Sequence, residues 1–144
     1  MNEQTAMAQV RGLGPAKEGA HHWTVQRYTA LGNLFLGSWL AVSLALMPQF
    51  TYSAIAGWLS DPVPSIAMAL LIVSTFWHAR LGLQVLVEDY VHDAGTKWAV
   101  LALVNMAAIA GMVTGLYFLL RVVIFAISQE ATAAMLAQAM GGMR

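Results

Sequence analysis

Residues 63–91 read VPSIAMALLIVSTFWHARLGLQVLVEDYV. The stretch starts near Val63 or Pro64 and stays mainly apolar to about Val87, ahead of the adjacent carboxylates Glu88 and Asp89. That length meets the roughly 17–25 residues a helix needs to cross a hydrocarbon core. Two similar runs flank it. Residues 30–47 contain no Asp, Glu, Lys, Arg or His and stop at Pro48, which cannot continue a helix. Residues 98–127 are interrupted only by Asn105, Thr114 and Arg121. In lipid every backbone polar group must be satisfied within its own segment, so the runs read as helices. A barrel would alternate polar and apolar residues, and these runs are continuous. The expected fold is therefore an all-α membrane protein with three transmembrane helices, part of a multi-subunit helical bundle. The spans are placed at about 28–47, 63–87 and 98–127. Residues 48–62 and 88–97 are loops, residues 1–20 a flexible tail, and residues 128–144 a C-terminal tail, either a short amphipathic helix or a frayed end.

Composition points the same way. Of 144 residues, 59% are hydrophobic and 10% charged, whereas a soluble domain carries about 25% charged residues. So few charges cannot cover a water-facing surface, so much of the surface faces lipid. The formal net charge is zero, which leaves no basic footprint for nucleic acid. Cysteine is absent, which excludes disulfides, thiolate metal sites and a cysteine nucleophile. The first 20 residues lack the apolar core of a secretory signal, so insertion is expected to rest on the internal spans. Arg11, Lys17 and Arg27 precede the first span, and Lys97 lies in the second loop, whereas the first loop holds only Asp61. By the positive-inside rule the N-terminus and second loop are cytoplasmic, in a bacterial inner membrane. Arg121 is the exception, placed near the outer interface where its stem can snorkel. Trp58 and Trp98 suit interfacial positions.

One histidine, His78, falls inside a span. An ionisable group at that depth is a functional-site candidate. Unless it is paired or metal-bound it costs roughly several tenths to a few kcal/mol. The alternative is a neutral histidine bonded to a neighbouring helix. At about 100° per residue, His78, Gly82, Val85 and Asp89 share a narrow stripe. Gly82, one turn on, removes a side chain beside the imidazole, so that a flat macrocycle or another helix can approach. Asp89 and Tyr90 reach the membrane edge, where a carboxylate and a phenol can hold and protonate a carbonyl oxygen of a small lipid-soluble ligand. They also fit an ordinary helix end. Arg27, expected at the same edge, carries a guanidinium suited to a carboxylate, or serves as a positive-inside anchor. Arg80 lies on another face, directed to headgroups, to a ligand carboxylate or to a partner. His21 and His22 are either supporting donors or solvated, and His92 faces water. The methionines scatter through apolar segments and read as packing.

His78-x-x-x-Gly82 followed by Asp89-Tyr90, with Arg27-x-Thr29-Ala30 opening the first of three spans, resembles the succinate dehydrogenase hydrophobic membrane anchor subunit. This is the smaller of the two anchors of complex II. The likeness extends over roughly residues 21–125, and its most specific part is residues 78–91. It implies that His78 is an axial ligand of a b-type haem shared with a second cytochrome b anchor, whose own histidine is the other ligand. It implies that Arg27 and His21 lie near the haem propionates, that Gly82 packs against haem or helix, and that Tyr90 and Asp89 line the quinone site. The implied partners are a flavoprotein subunit and an iron–sulfur subunit. The implied activity is electron transfer from succinate to quinone in the respiratory chain and the tricarboxylic acid cycle, with no substrate oxidised by this chain alone. The Arg-Pro-x-Ser-Pro-like and Ser-x-x-His-Arg segments usual in the larger anchor are absent. A fumarate reductase anchor, a non-catalytic assembly or scaffold protein and a small transporter subunit are the alternative readings.

Overall fold

A computed structural model describes residues 14–142. Four helices follow in order: α1 (Gly14–Ala45), α2 (Tyr52–Ser60), α3 (Pro62–Tyr90) and α4 (Ala94–Gly141). Three of them are long and apolar enough to cross a membrane. The chain is an integral membrane protein of three spans, as composition and run length imply.

The boundaries differ from the expected ones for identifiable reasons. Helix α1 begins at Gly14, so residues 14–20 are its opening turns rather than part of a tail; residues 1–13 lie outside the described residues. The segment between the first two spans is not a plain loop. Thr51 caps α2 by accepting from the Ala54 N–H at 3.3 Å, and Asp61-Pro62 ends that helix and starts α3, with proline at the first helical position, where its missing N–H costs nothing. Helix α4 runs unbroken through residues 128–141, so that part of the expected tail continues the third span. At 1.5 Å per residue its 48 residues extend about 70 Å, against about 40–45 Å for a whole bilayer. The end at Gly141 therefore projects well past the membrane. At the other end Asp93 caps α4 by accepting from the Thr96 N–H at 2.7 Å. That backbone hydrogen bond, with the Thr96 side chain, holds the Asp93 carboxyl below its ordinary pKa.

The helices form a row rather than a closed bundle. Helix α3 packs on α1 and on α4, α2 lies against α4 and the start of α3, and α1 makes no backbone approach to α4. Trp39 of α1 and Trp58 of α2 stack with ring centroids 5.4 Å apart. Among the described residues only a few small or aliphatic side chains are buried: Ala56, Leu59, Pro64, Leu81, Val87, Ala108 and Ala126. Large apolar residues such as Leu34, Phe35, Leu103 and Phe118 stay exposed, facing lipid or another subunit.

Hydrophobic burial does not drive helices together in lipid, so close packing and interhelical hydrogen bonds must. At the α3–α4 seam Phe76 lies over Gly111 and Ile72 over Gly115, a Gly-x-x-x-Gly face one turn long. A Cβ on Gly111 would overlap the edge of the Phe76 ring, and one on Gly115 would lie 3.0 Å from Ile72. Gly111→Leu is therefore expected to destabilise this packing by about 1–3 kcal/mol, as overpacking does. It should lower the thermal midpoint of the detergent-solubilised protein, and Phe76→Ala should restore part of the loss. Identical losses with and without Phe76 would show that the ring is not what the glycine accommodates.

Candidate functional site

The α1–α3 seam is polar. Thr29 and Asn33, one turn apart on α1, face Ser74, Thr75 and His78 on α3. Thr29 Oγ1 lies 3.1 Å from His78 Nδ1. Ser74 Oγ donates to the Thr29 carbonyl at 3.2 Å, and Thr75 Oγ1 donates to Asn33 Oδ1 at 3.4 Å. The helices come this close because Gly32 has no side chain: a Cβ there would lie 3.1 Å from Ser74 Oγ. His78 stands out in the sequence, whereas its supports are small polar residues concealed within apolar runs. Their signal was the four-residue spacing of Thr29 with Asn33 and of Ser74 with His78, which stacks polar groups on one helix face.

The His78 imidazole is half-buried, with Nδ1 held by α1. Its Nε2 has no hydrogen-bond partner among the described residues and is not enclosed by the chain. One turn along α3, Gly82 has nothing within 4 Å of where its Cβ would be. The imidazole therefore stands beside an open stretch of helix where another flat group or helix can approach. An axial ligand to a macrocycle needs a neutral imidazole, one free nitrogen lone pair and room beside it. His78 and Gly82 fit those requirements.

The remaining expected residues are not drawn into this seam. Thr29 opposite His78 and Gly32 opposite Ser74 set the antiparallel register of α1 and α3, which places Arg27 level with residues 79–80. Arg27 was expected level with Asp89 and Tyr90. It lies some ten residues short of them, about 15 Å along the helix axis, because the polar contacts of Thr29 and Gly32 with α3 seat α1 deeper than a span opening at residue 28 would sit. Arg27 is exposed, stacks on the Trp23 ring at 4.8 Å, and lies about 200° around the helix from Thr29. His21 is exposed. Its neighbour His22, one turn behind Gln26 on the seam face, is half-buried, with Nε2 enclosed and, among the described residues, without a hydrogen-bond partner. Asp89 and Tyr90 end α3; both are exposed, Tyr90 to 77%, and neither touches Arg27.

Of the three directions open to Arg80 in the sequence (headgroups, a ligand carboxylate, a partner), none is the one it takes within the chain. It turns to α4: its Nε donates to Asn105 Oδ1, and the guanidinium lies 5.1 Å from the Trp77 ring centroid. A groove of about 310 Å³ follows this seam, lined by Trp77, Arg80, Asn105, Ala108, Ile109 and Met112. Helix α3 thus carries two polar sites on opposite faces, His78 toward α1 and Arg80 toward α4. A larger space of about 520 Å³ lies at the other end of the spans, between Tyr52 of α2 and the Phe118, Arg121 and Phe125 stretch of α4.

Comparison with known proteins accounts for the fold and the motif together. Residues 1–114 match the model of a family described as succinate dehydrogenase/fumarate reductase transmembrane subunit. The succinate dehydrogenase hydrophobic membrane anchor subunit of Rickettsia bellii is 31% identical over 85 residues, 59% of this chain and 68% of that protein. The corresponding subunit of Rickettsia conorii is 27% identical over 108 residues, covering 74% of this chain and 86% of its own. The succinate dehydrogenase membrane anchor subunit of Reclinomonas americana is 30% identical over 104 residues, 65% of this chain and 80% of that protein. With its three apolar helices in an open row and its polar seam, the chain belongs to the succinate dehydrogenase/fumarate reductase transmembrane subunit family, as a hydrophobic membrane anchor.

Proposed function

We propose that this anchor shares a b-type haem with a second anchor subunit and forms part of the site where quinone is reduced with electrons from succinate. The observation that carries the reading is His78: a half-buried imidazole with one nitrogen fixed by α1 and the other without a hydrogen-bond partner among the described residues, one turn from the side-chain-free Gly82. His78 Nε2 would be one axial ligand, and a histidine of the second anchor the other. Bound haem would supply a one-electron reservoir between the membrane faces. The Gly82 face would take the partner helix or the macrocycle edge. Exposed Arg27 and His21 are the nearby groups of α1 that could meet propionates, on the side where the second anchor would sit.

Tyr90 and Asp89 stand at the last turn of α3, and among the described residues no side-chain hydrogen bond uses up their polar atoms. Quinone accepts two electrons and two protons, so its carbonyl oxygens need donors as charge builds on them. The Tyr90 phenol would donate a hydrogen bond to one carbonyl, with the Asp89 carboxylate beside it to relay a proton from water. Because neither side chain is covered by this chain, the pocket would be completed by the iron–sulfur subunit and the second anchor. This end would face the cytoplasm, with the N-terminus, in a bacterial inner membrane, where a flavoprotein and the iron–sulfur protein dock. Succinate would be oxidised in those partners.

The Thr29–His78 hydrogen bond also favours a second reading, in which His78 only holds two helices together. Purification through a tag on this chain in mild detergent separates the two. The proposal expects a flavoprotein, an iron–sulfur protein, a second small membrane subunit and a b-type spectrum. A colourless preparation without redox subunits would leave His78 as packing alone.

A further inference from the structure

We infer that Thr29 is a positioning residue for His78: its hydroxyl oxygen takes the proton of Nδ1 and so leaves the Nε2 lone pair free for a metal ion. This rests on the proposed ligand role of His78 and adds the group that selects the reactive nitrogen. A neutral imidazole carries one proton, and the hydrogen bond made by one nitrogen decides what the other can do. Thr29 has one hydroxyl proton and two acceptor lone pairs. Its Oγ1 lies 3.0 Å from the Val25 carbonyl and 3.1 Å from the Gln26 carbonyl. Both carbonyls only accept, and when the hydroxyl proton goes to either of them, the usual back-bonding of threonine within a helix, Oγ1 keeps only lone pairs for the imidazole. Toward Nδ1, 3.1 Å away, Oγ1 is then left as an acceptor, and Nδ1 must donate. A hydroxyl that is already donating is also the stronger acceptor.

The placement is fixed from a second direction. The Thr29 carbonyl accepts from Ser74 Oγ at 3.2 Å, and Ser74 sits one turn from His78 on the same face of α3. Thr29 is therefore clamped at its backbone and its side chain by the helix that carries the imidazole. A histidine needed only for packing would be satisfied by this one bond. Here the bond also specifies a tautomer and turns the basic nitrogen away from α1, toward the open side. Donation from Nδ1–H to an oxygen raises the basicity of the metal-facing nitrogen, as partners of ligating histidines do.

The test uses the whole complex with Thr29→Val, which keeps the shape and removes the hydroxyl, Thr29→Ser, which keeps the hydroxyl, and His78→Ala beside them. Haem retained per flavin and the haem midpoint potential from an optical redox titration are measured. Thr29→Val is expected to weaken haem retention about tenfold or more, within the 10–100-fold typical when a ligand's outer partner is lost. It should also raise the potential, because a less basic imidazole stabilises ferric iron less. A tenfold change in ferric over ferrous preference reads as about 59 mV for one electron. Thr29→Ser should restore both. Wild-type retention and potential in Thr29→Val, alongside a haem-free His78→Ala, would overturn the role of Thr29 while leaving His78 as ligand. An unaltered haem spectrum in His78→Ala would instead overturn the ligand reading beneath it. If Thr29→Val does not assemble, Thr29→Cys takes its place, since sulfur is a weak acceptor; an unchanged potential there would overturn the inference equally.

Discussion

Replacing His78 with alanine is expected to strip the complex of b-type haem, with haem per flavin falling from about one to near zero if a single haem is shared. The expectation follows from geometry. The imidazole is the one ionisable ring in the middle of α3, its Nδ1 is engaged by Thr29 at 3.1 Å, and its Nε2 is the remaining donor on that face. Alanine removes that donor and also leaves Thr29 Oγ1 without its cross-helix partner. The second loss is small, because a lipid-embedded interhelical hydrogen bond contributes about 0.6–2 kcal/mol. The three helices should therefore still pack, held by Phe76 against Gly111 and by the Ser74 and Thr75 bonds. Haem loss with assembly retained is the signature of a ligand; assembly lost with the haem unaltered in whatever complex remains is the signature of a packing residue. Pyridine haemochrome quantification of purified complex, with size-exclusion profiles run alongside, checks both.

Tyr90→Phe is expected to lower quinone reduction by about a hundred- to a thousandfold, the range typical of losing a positioned hydrogen-bond or proton donor. Succinate oxidation measured with an artificial water-soluble acceptor should stay at the wild-type rate. The split between the two assays is the informative part. Tyr90 is 77% exposed at the last turn of α3, so removing its hydroxyl disturbs no hydrogen bond among the described residues and should leave the fold intact. Asp89→Asn should give a smaller effect in the same direction. Equal losses in both assays would place Tyr90 in subunit docking instead.

Much of the membrane architecture could be read from the chain, because twenty-odd apolar residues in lipid have one outcome. The same reasoning marked His78 and Gly82, where one ring and one missing side chain interrupt an apolar surface. Helix α2 was hidden by its shortness and its flanking Pro48 and Pro62, although Thr51 supplies an N-cap and Ile55 and Leu59 lie one turn apart on it. The polar supports of His78 were hidden for another reason. Ser74, Thr75, Thr29 and Asn33 barely change the hydropathy of a span, and only the register between α1 and α3 brings them together. That register also moves Arg27 away from Tyr90, while the packing of α3 on α4 turns Arg80 to Asn105, and neither pairing is written in the spacing of a single helix. The continuation of α4 past Ser128 follows from good helix formers, Ala, Met, Leu and Gln, with no proline or internal glycine before Gly141. Composition alone left that segment ambiguous because its apolar residues do not keep to one face.

The most direct test of the central claim is the low-temperature EPR spectrum of oxidised complex isolated through this chain, recorded for the wild type and for His78→Met. Methionine keeps a ligand of similar reach and so preserves the haem while changing the donor atom from nitrogen to sulfur. The account predicts a low-spin ferric signal of two imidazoles in the wild type, and in the variant a different low-spin signal with a raised midpoint potential, as histidine–methionine ligation produces. The same signal and the same potential in both proteins would contradict it.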